Sequence, residues 1–208
     1  MSTYTILAEA IESATEEKNS DFLTFLHPVT SREEAVGHIE LYRKKYPDAN
    51  HVCWAYVIGN TRQPQTQAFS DDGEPSGTAG KPMLHVLTER EVGNSLAIVV
   101  RYFGGVKLGA GGLVRAYSSA VSNAVNVAQL IAVVPSVQFS IAVDFAKEAK
   151  VRHLINQYQG QLLTVDYAAG VVLMISIAAS ARDELVQAII NETAGSAVIS
   201  ADIEPLPL

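Results

Sequence analysis

The sequence predicts an α+β protein of two domains. Its last third switches between two-residue and helical periodicity in the order β-α-β-β-α-β. The first two-thirds mixes strands and helices in another order and carries two glycine-rich loops, each leading from a strand into a helix. A linker around Ile131–Pro135 separates the parts and places the domains at residues 1–133 and 136–208.

In the last third, Ser136–Asp144 (SVQFSIAVD) alternates and is rich in β formers, so it reads as a strand. Ala146–Gln159 sets Val151, Leu154, Ile155 and Tyr158 at helical spacing, and Gly160 stops the helix. Gln161–Tyr167 and Gly170–Ile177 are strands about a short Ala-Ala-Gly turn. Ser180 is the expected N-cap of a helix with Asp183 and Glu184 in its first turn, Leu185, Ala188 and Ile189 on its buried face, and Gly195 at its end. Ala197–Ile203 is the last strand. This is the split-βαβ, or ferredoxin-like, order.

In the first part, Ile6–Glu17 and Phe22–Leu26 read as strands about a turn at Lys18–Asp21. Ser31 and Glu34 form the capping-box pattern of a helix, SREEAVGHIELYRKKY, with Pro47 beyond its end. His51–Ile58 (HVCWAYVI) is a buried strand. Pro82 fits the first position of a helix running to about Glu91. Leu96–Phe103 is a strongly apolar strand, and a helix runs from about Leu113 to Gln129.

Composition narrows the function. The chain is 48% hydrophobic and 18% charged, which supports a real core. No apolar run reaches the roughly 20 residues that span a bilayer. The N-terminus lacks the basic and apolar regions of a signal peptide. One cysteine, Cys53, excludes an internal disulfide, so the expected compartment is the cytoplasm. A net charge of −7 argues against indiscriminate coating of nucleic acid. Yet no Asp or Glu falls between Glu91 and Asp144, and Arg101, Lys107 and Arg115 lie in that gap. The bland reading is that apolar elements carry few acids; the functional one is a local positive patch.

The first glycine loop is SDDGEPSGTAGKPML (Ser70–Leu84); the second contains GGVKLGAGG (Gly104–Gly112). Neither is a familiar nucleotide motif. Gly80-Lys81 is followed by Pro82 where a Walker A loop needs Ser or Thr, and Pro75 stands where its first glycine belongs. Ser76 lacks the flanking glycines of a nucleophile elbow, and Val114 replaces the third glycine of a dinucleotide fingerprint. The physics of anion binding remains. Free N–H groups and the positive dipole end gather where each loop enters its helix, and Lys81 and Lys107 stand beside them. The alternative for either loop alone is tight strand–helix packing. Together they suggest one shared site, with Ser76, Gly77, Thr78, Gly80, Lys81, Arg101, Lys107, Gly109, Gly111 and Arg115 as the residues expected to bind an anion or RNA.

Asp71, Asp72 and Glu74 have the chemistry to hold Mg²⁺, but such a run more often bonds its own turn and the next helix end. Cys53 and Trp54 sit mid-strand, as core residues do. His51 and Cys53 would share a strand face, a nucleophile pair without an orienting third group. His27, His38, His51, His85 and His153 show no zinc-ligand pairing. Neither a metal, a cofactor nor a catalytic residue is expected. Ala116, Ala120, Ala124 and Ala128 make a small face for close helix packing.

FSDDGEPSGTAGKPML (Phe69–Leu84) and VVRYFGGVKLGAGGLVRAY (Val99–Tyr117) closely resemble the YigZ/IMPACT family. The resemblance extends over the chain, including the HVCWAY strand. It implies an N-terminal domain like domain 2 of ribosomal protein S5 and a C-terminal ferredoxin-like domain akin to one in elongation factor G. The resemblance implies eukaryotic relatives that regulate translation by binding an activator of a stress kinase; they carry an extra recognition domain not expected here, and so that partner is not expected either. Two readings follow. One is a non-enzymatic, translation-related module that contacts RNA, the ribosome or a translation factor through a basic glycine-loop surface. The other is an enzyme acting on a small phosphorylated ligand held between the loops. The lack of a nucleophile–base pair favours the first. Arg101 carries a further expectation: an inward position on its strand would pair it with Asp72 or Glu74.

Overall fold

The computed structural model describes residues 4–167 and 170–201, which divide into two compact units, one ending at Val133 and the other beginning at Val134. The N-terminal unit contains β1 (Tyr4–Leu7), β2 (Ile11–Glu17), β3 (Ser20–Pro28), α1 (Arg32–Lys45), β4 (His51–Asn60), β5 (Gln63–Ser70), α2 (Gly80–Glu89), β6 (Ser95–Tyr102), α3 (Ala110–Val127) and β7 (Leu130–Val133). Its main sheet has the order β2-β3-β6-β4-β5, every neighbouring pair antiparallel.

The central strand β6 explains the layering. Its alternate residues serve opposite cores. Leu96, Ile98 and Val100 pack toward α1 with Ala35, Ile39 and Tyr42. Ala97 and Val99 pack toward α2 and α3 with Met83, Leu87, Leu113, Tyr117 and Val121. Each fully buried aliphatic side chain here contributes roughly 1.5–3 kcal/mol. The alanines at 116, 120 and 124 belong to the second core, where small side chains let helices approach closely.

Several elements differ from expectation for physical reasons. The single strand expected over Ile6–Glu17 is two: β1 pairs not with the main sheet but with β7, in the stretch read as linker. β5 escaped pattern reading because it is a polar edge strand carrying Pro64, and it alternates exposure without an apolar face. α3 begins three residues early, so Gly111 and Gly112 are helical and Gly109, at φ +74°, is the N-cap. Pro82 is the third residue of α2, still in the turn whose N–H groups have no partner within the helix. At α1, Ser31 caps the Glu34 N–H, but the Glu34 carboxylate accepts from the N–H and hydroxyl of Thr30 rather than from Ser31.

The C-terminal unit contains β8 (Ser136–Val143), a 3₁₀ turn (Phe145–Lys147), α4 (Glu148–Gln157), β9 (Gln161–Tyr167), β10 (Val171–Ala178), α5 (Arg182–Glu192) and β11 (Val198–Ile199). The sheet order is β11-β8-β10-β9, with antiparallel neighbours throughout, the split-βαβ plan. Val151, Ile155, Leu185 and Ile189 cover one sheet face. The N-cap of α5 is Ala181 rather than Ser180, with no side-chain hydrogen bond. Ala168 and Ala169 of the expected turn, and Asp202 and Ile203 of the expected last strand, lie outside the described residues. Among the described residues no helix is long and apolar enough to cross a membrane.

Candidate functional site: two glycine loops at one end of a sheet

β4 is antiparallel to both β5 and β6, so β5 and β6 run the same way. The loops that follow them therefore leave the same end of the sheet. Their helices, α2 and α3, pack on the same sheet face.

The first loop is filled from within. One oxygen of Asp71 accepts from the N–H groups of Ala79 at 3.0 Å and Gly80 at 2.8 Å; the other accepts from Gly77 at 2.7 Å. Asp71 is thus the anion at the start of α2, favoured by free donors and helix dipole alike. Thr78 turns its hydroxyl to the Pro75 carbonyl. Gly80 sits so close to β5 that a Cβ would lie 2.6 Å from the Ser70 carbonyl oxygen. Ser76 and Lys81 are exposed. Asp72, at φ +45°, binds the Arg43 guanidinium at 2.8 Å and the Val52 N–H at 2.7 Å.

Glu74 turns the other way, into the protein. Its side chain is 3% exposed and pairs with Arg101, 6% exposed, at 2.6 Å. The same oxygen accepts from the Tyr117 hydroxyl at 2.8 Å. His51 holds the loop from outside, with Nδ1 2.9 Å from the Asp72 carbonyl and Nε2 3.8 Å from Glu74. The Cys53 thiol, with one proton to donate, lies 3.0 Å from the Asp71 carbonyl oxygen and 3.4 Å from the Tyr117 hydroxyl oxygen. Burial pushes both the Cys53 thiol and the Tyr117 hydroxyl well above their ordinary pKa values, so neither is a ready nucleophile or base. The three acids face three separate sets of partners. Among the described residues no group of three or more His, Cys, Asp or Glu is placed to hold a metal. Arg101, predicted within the binding patch, is a buried partner of Glu74; its alternation along β6 places it on the face covered by α3.

The second loop is open. Gly104 presses against the β2–β3 turn, where a Cβ would clash with the Asn19 carbonyl, and its N–H reaches Ser20 at 3.2 Å. Beyond it Lys107, Gly109, Gly111 and Arg115 are all exposed. α3 has neither a capping side chain nor an acid in its first turn. Instead the Arg115 guanidinium lies over that turn: a Cβ on Gly111 would be 3.7 Å from its Nη1. A cation beside a helix N-terminus opposes the dipole. A groove of about 530 Å³ runs beside α3, bordered by Leu108, Gly112 and Arg115 and closed opposite by the β2–β3 turn. No first-loop residue lines it. The loops thus share an end of the fold and a buried Glu74–Arg101–Tyr117 junction, while the groove belongs to the second loop. Sequence reading missed the groove's far wall, Glu16–Lys18, because only the pairing of β3 with β6 and the packing of α3 on that sheet bring the turn beside α3.

Residues 18–125 match the model of the Impact N-terminal domain, and residues 141–196 match that of a domain of unknown function, DUF1949. An IMPACT family member of Haemophilus influenzae is 34% identical over 199 residues, 96% of this chain and 97% of its own length. IMPACT family member YigZ of Escherichia coli is 37% identical over 180 residues, 86% of this chain and 88% of its own. A crystal structure described as that of a hypothetical protein superimposes with a TM-score of 0.64 at 35% identity, covering 97% of this chain and 98% of its own. Matched along most of its length by both domain models and by bacterial members of one family, the chain belongs to the IMPACT family.

Proposed function

We propose that the protein is a non-enzymatic, translation-related binding module that takes RNA phosphate, free or within the ribosome, at the open start of α3. One observation carries this reading. Of two comparable helix starts, α2 is neutralised by Asp71, while α3 has no acid and has Arg115 folded over its first turn. Exposed N–H donors, the dipole and, on the flank beside Gly111, a guanidinium gather at one helix start, which suits a phosphate. Lys107 adds charge nearby. The remaining predicted binders, Ser76, Gly77, Thr78, Gly80 and Lys81, flank the site through the first loop, which positions it rather than contacting the ligand. The inertness of Cys53 and Tyr117 favours binding over catalysis. The kinship that the family resemblance implies with a ribosomal S5 domain and with an elongation factor G domain, and a cytoplasmic location, belong to the same proposal.

The test is the salt dependence of RNA binding. Each phosphate contact on single-stranded RNA contributes roughly 0.7 to the slope of log affinity against log salt. Lys107→Ala and Arg115→Ala should each flatten the slope by about that amount, with little sequence preference. A small phosphorylated ligand in the same groove is the competing occupant. Wild-type protein that ignores RNA and ribosomes at all salt concentrations, yet is protected from thermal unfolding by inorganic phosphate or a nucleotide, would replace the RNA reading with that one.

A further inference from the structure

The groove beside α3 contains chemistry that phosphate binding leaves unused, and the inference drawn from it rests on the reading above. Along one wall Gly112, Arg115, Ser119 and Asn123 recur at three- and four-residue spacing, so they share a helix face. At 1.5 Å per residue this wall is ~16 Å long. Its charge is graded: the cation and the dipole end lie at one end, a neutral hydroxyl and amide at the other. Across the groove stand the exposed carboxylate of Glu17, on the β2 face that carries Thr15, and the exposed ammonium of Lys18, with Glu16 beside them in the same wall. A run of phosphates laid along the groove would press one of them against the Glu17 carboxylate, which Lys18 offsets only in part. A ligand with phosphate at one end and hydrogen-bond donors beside it would satisfy both walls, because an ionised carboxylate only accepts.

The sheet meets the groove at two residues, with polar groups deeper on the same face. Thr15 and Phe22 border the groove and face each other across β2 and β3. The next pair on that sheet face is Ser13 and Thr24, and both hydroxyls are buried without a partner. A cavity of 530 Å³ falls in the roughly 300–1,000 Å³ range of small-ligand sites. It suits one unstacked nucleotide and not a duplex. We propose that the groove holds one ribonucleotide unit of single-stranded RNA. Its phosphate lies at the start of α3, and its 2′-hydroxyl donates to Glu17. That hydroxyl is the group by which a protein tells RNA from DNA.

Fluorescence anisotropy with short single-stranded RNA and DNA of the same sequence tests this, on wild type and on the full-length Glu16→Gln/Glu17→Gln double variant at two salt concentrations. The ratio of RNA to DNA affinity is read, because removing two acids strengthens binding to both strands through charge alone. Wild type should prefer RNA by roughly tenfold, the worth of one charge-assisted hydrogen bond. The double variant should lose most of that preference with an unchanged melting temperature. A wild type that binds RNA and DNA equally, or a double variant that keeps the ratio, overturns this inference while leaving salt-dependent RNA binding intact. Absence of any salt-dependent binding overturns the phosphate reading and this inference together.

Discussion

Two glycine-rich loops leave the same end of one sheet and enter helices on the same face, yet they reach opposite electrostatic states. The loop before α2 supplies its own anion in Asp71 and sends Glu74 into the core to meet Arg101 and Tyr117. The loop before α3 supplies none and draws Arg115 over its helix start. Glycine serves different ends in the two. In the first it allows backbone to touch backbone, at Gly80 against Ser70; in the second, at Gly111, it leaves the helix start bare. A glycine-rich loop at a helix N-terminus is therefore not yet a binding site. What decides is whether the chain has already filled it.

The comparison breaks most visibly at the buried junction. Removing one member of a buried ion pair leaves an uncompensated charge, so Glu74→Ala and Arg101→Ala should each lose about 3–5 kcal/mol in urea denaturation. Neither change should act on RNA binding except through unfolding. Asp71→Ala strands three N–H donors at once and should lose about 2 kcal/mol. It also converts the first loop toward the state of the second. Sulfate should then raise the melting temperature of Asp71→Ala more than that of wild type; equal responses would show that the site closes when Asp71 goes.

The glycines give a sharper test with opposite signs. Gly80→Ala drives a methyl to 2.6 Å from the Ser70 oxygen and should lose about 1–3 kcal/mol. Gly111→Ala meets only the far end of Arg115, sits in a helix, and should gain about 0.5–1 kcal/mol. The same methyl should weaken RNA binding by crowding the phosphate. If Gly111→Ala binds RNA as wild type does, the open helix start is not the contact. The smallest effect is expected for Arg115→Ala, whose melting temperature should stay within the change produced by about 0.5 kcal/mol, or rise slightly as a cation leaves a helix N-terminus. Cooperative unfolding followed by circular dichroism measures all of these.

The regular elements were legible because burial writes a period into the chain. β6 (SLAIVVRY) and the C-terminal β-α-β-β-α-β order follow from alternation and helical spacing alone. β5 and β7 were not legible: a polar edge strand and a short exposed ribbon bury no continuous apolar face, and so leave no period to read. For the candidate site, the local chemistry of the Asp-Asp-Gly-Glu run was partly visible, since such residues bond nearby turns and helix ends.

By itself, then, the sequence determined the α+β class, the helices and strands with one-sided or fully apolar patterning, and the two glycine-loop–helix units. These depend on neighbours within a few residues, which the chain order specifies. Only the tertiary structure decided which loop is filled and which is open. Arg101 and Arg115 look alike as letters, in one acid-free run. Arg101 is internal because α3 covers its face of β6, and Arg115 is external because its helix position points away from that core. Whether Glu17 faces Arg115 is settled by the pairing of β3 with β6 and the packing of α3 on that sheet, between partners far apart in sequence. Long-range burial and pairing are properties of the packed chain, and no local pattern encodes them.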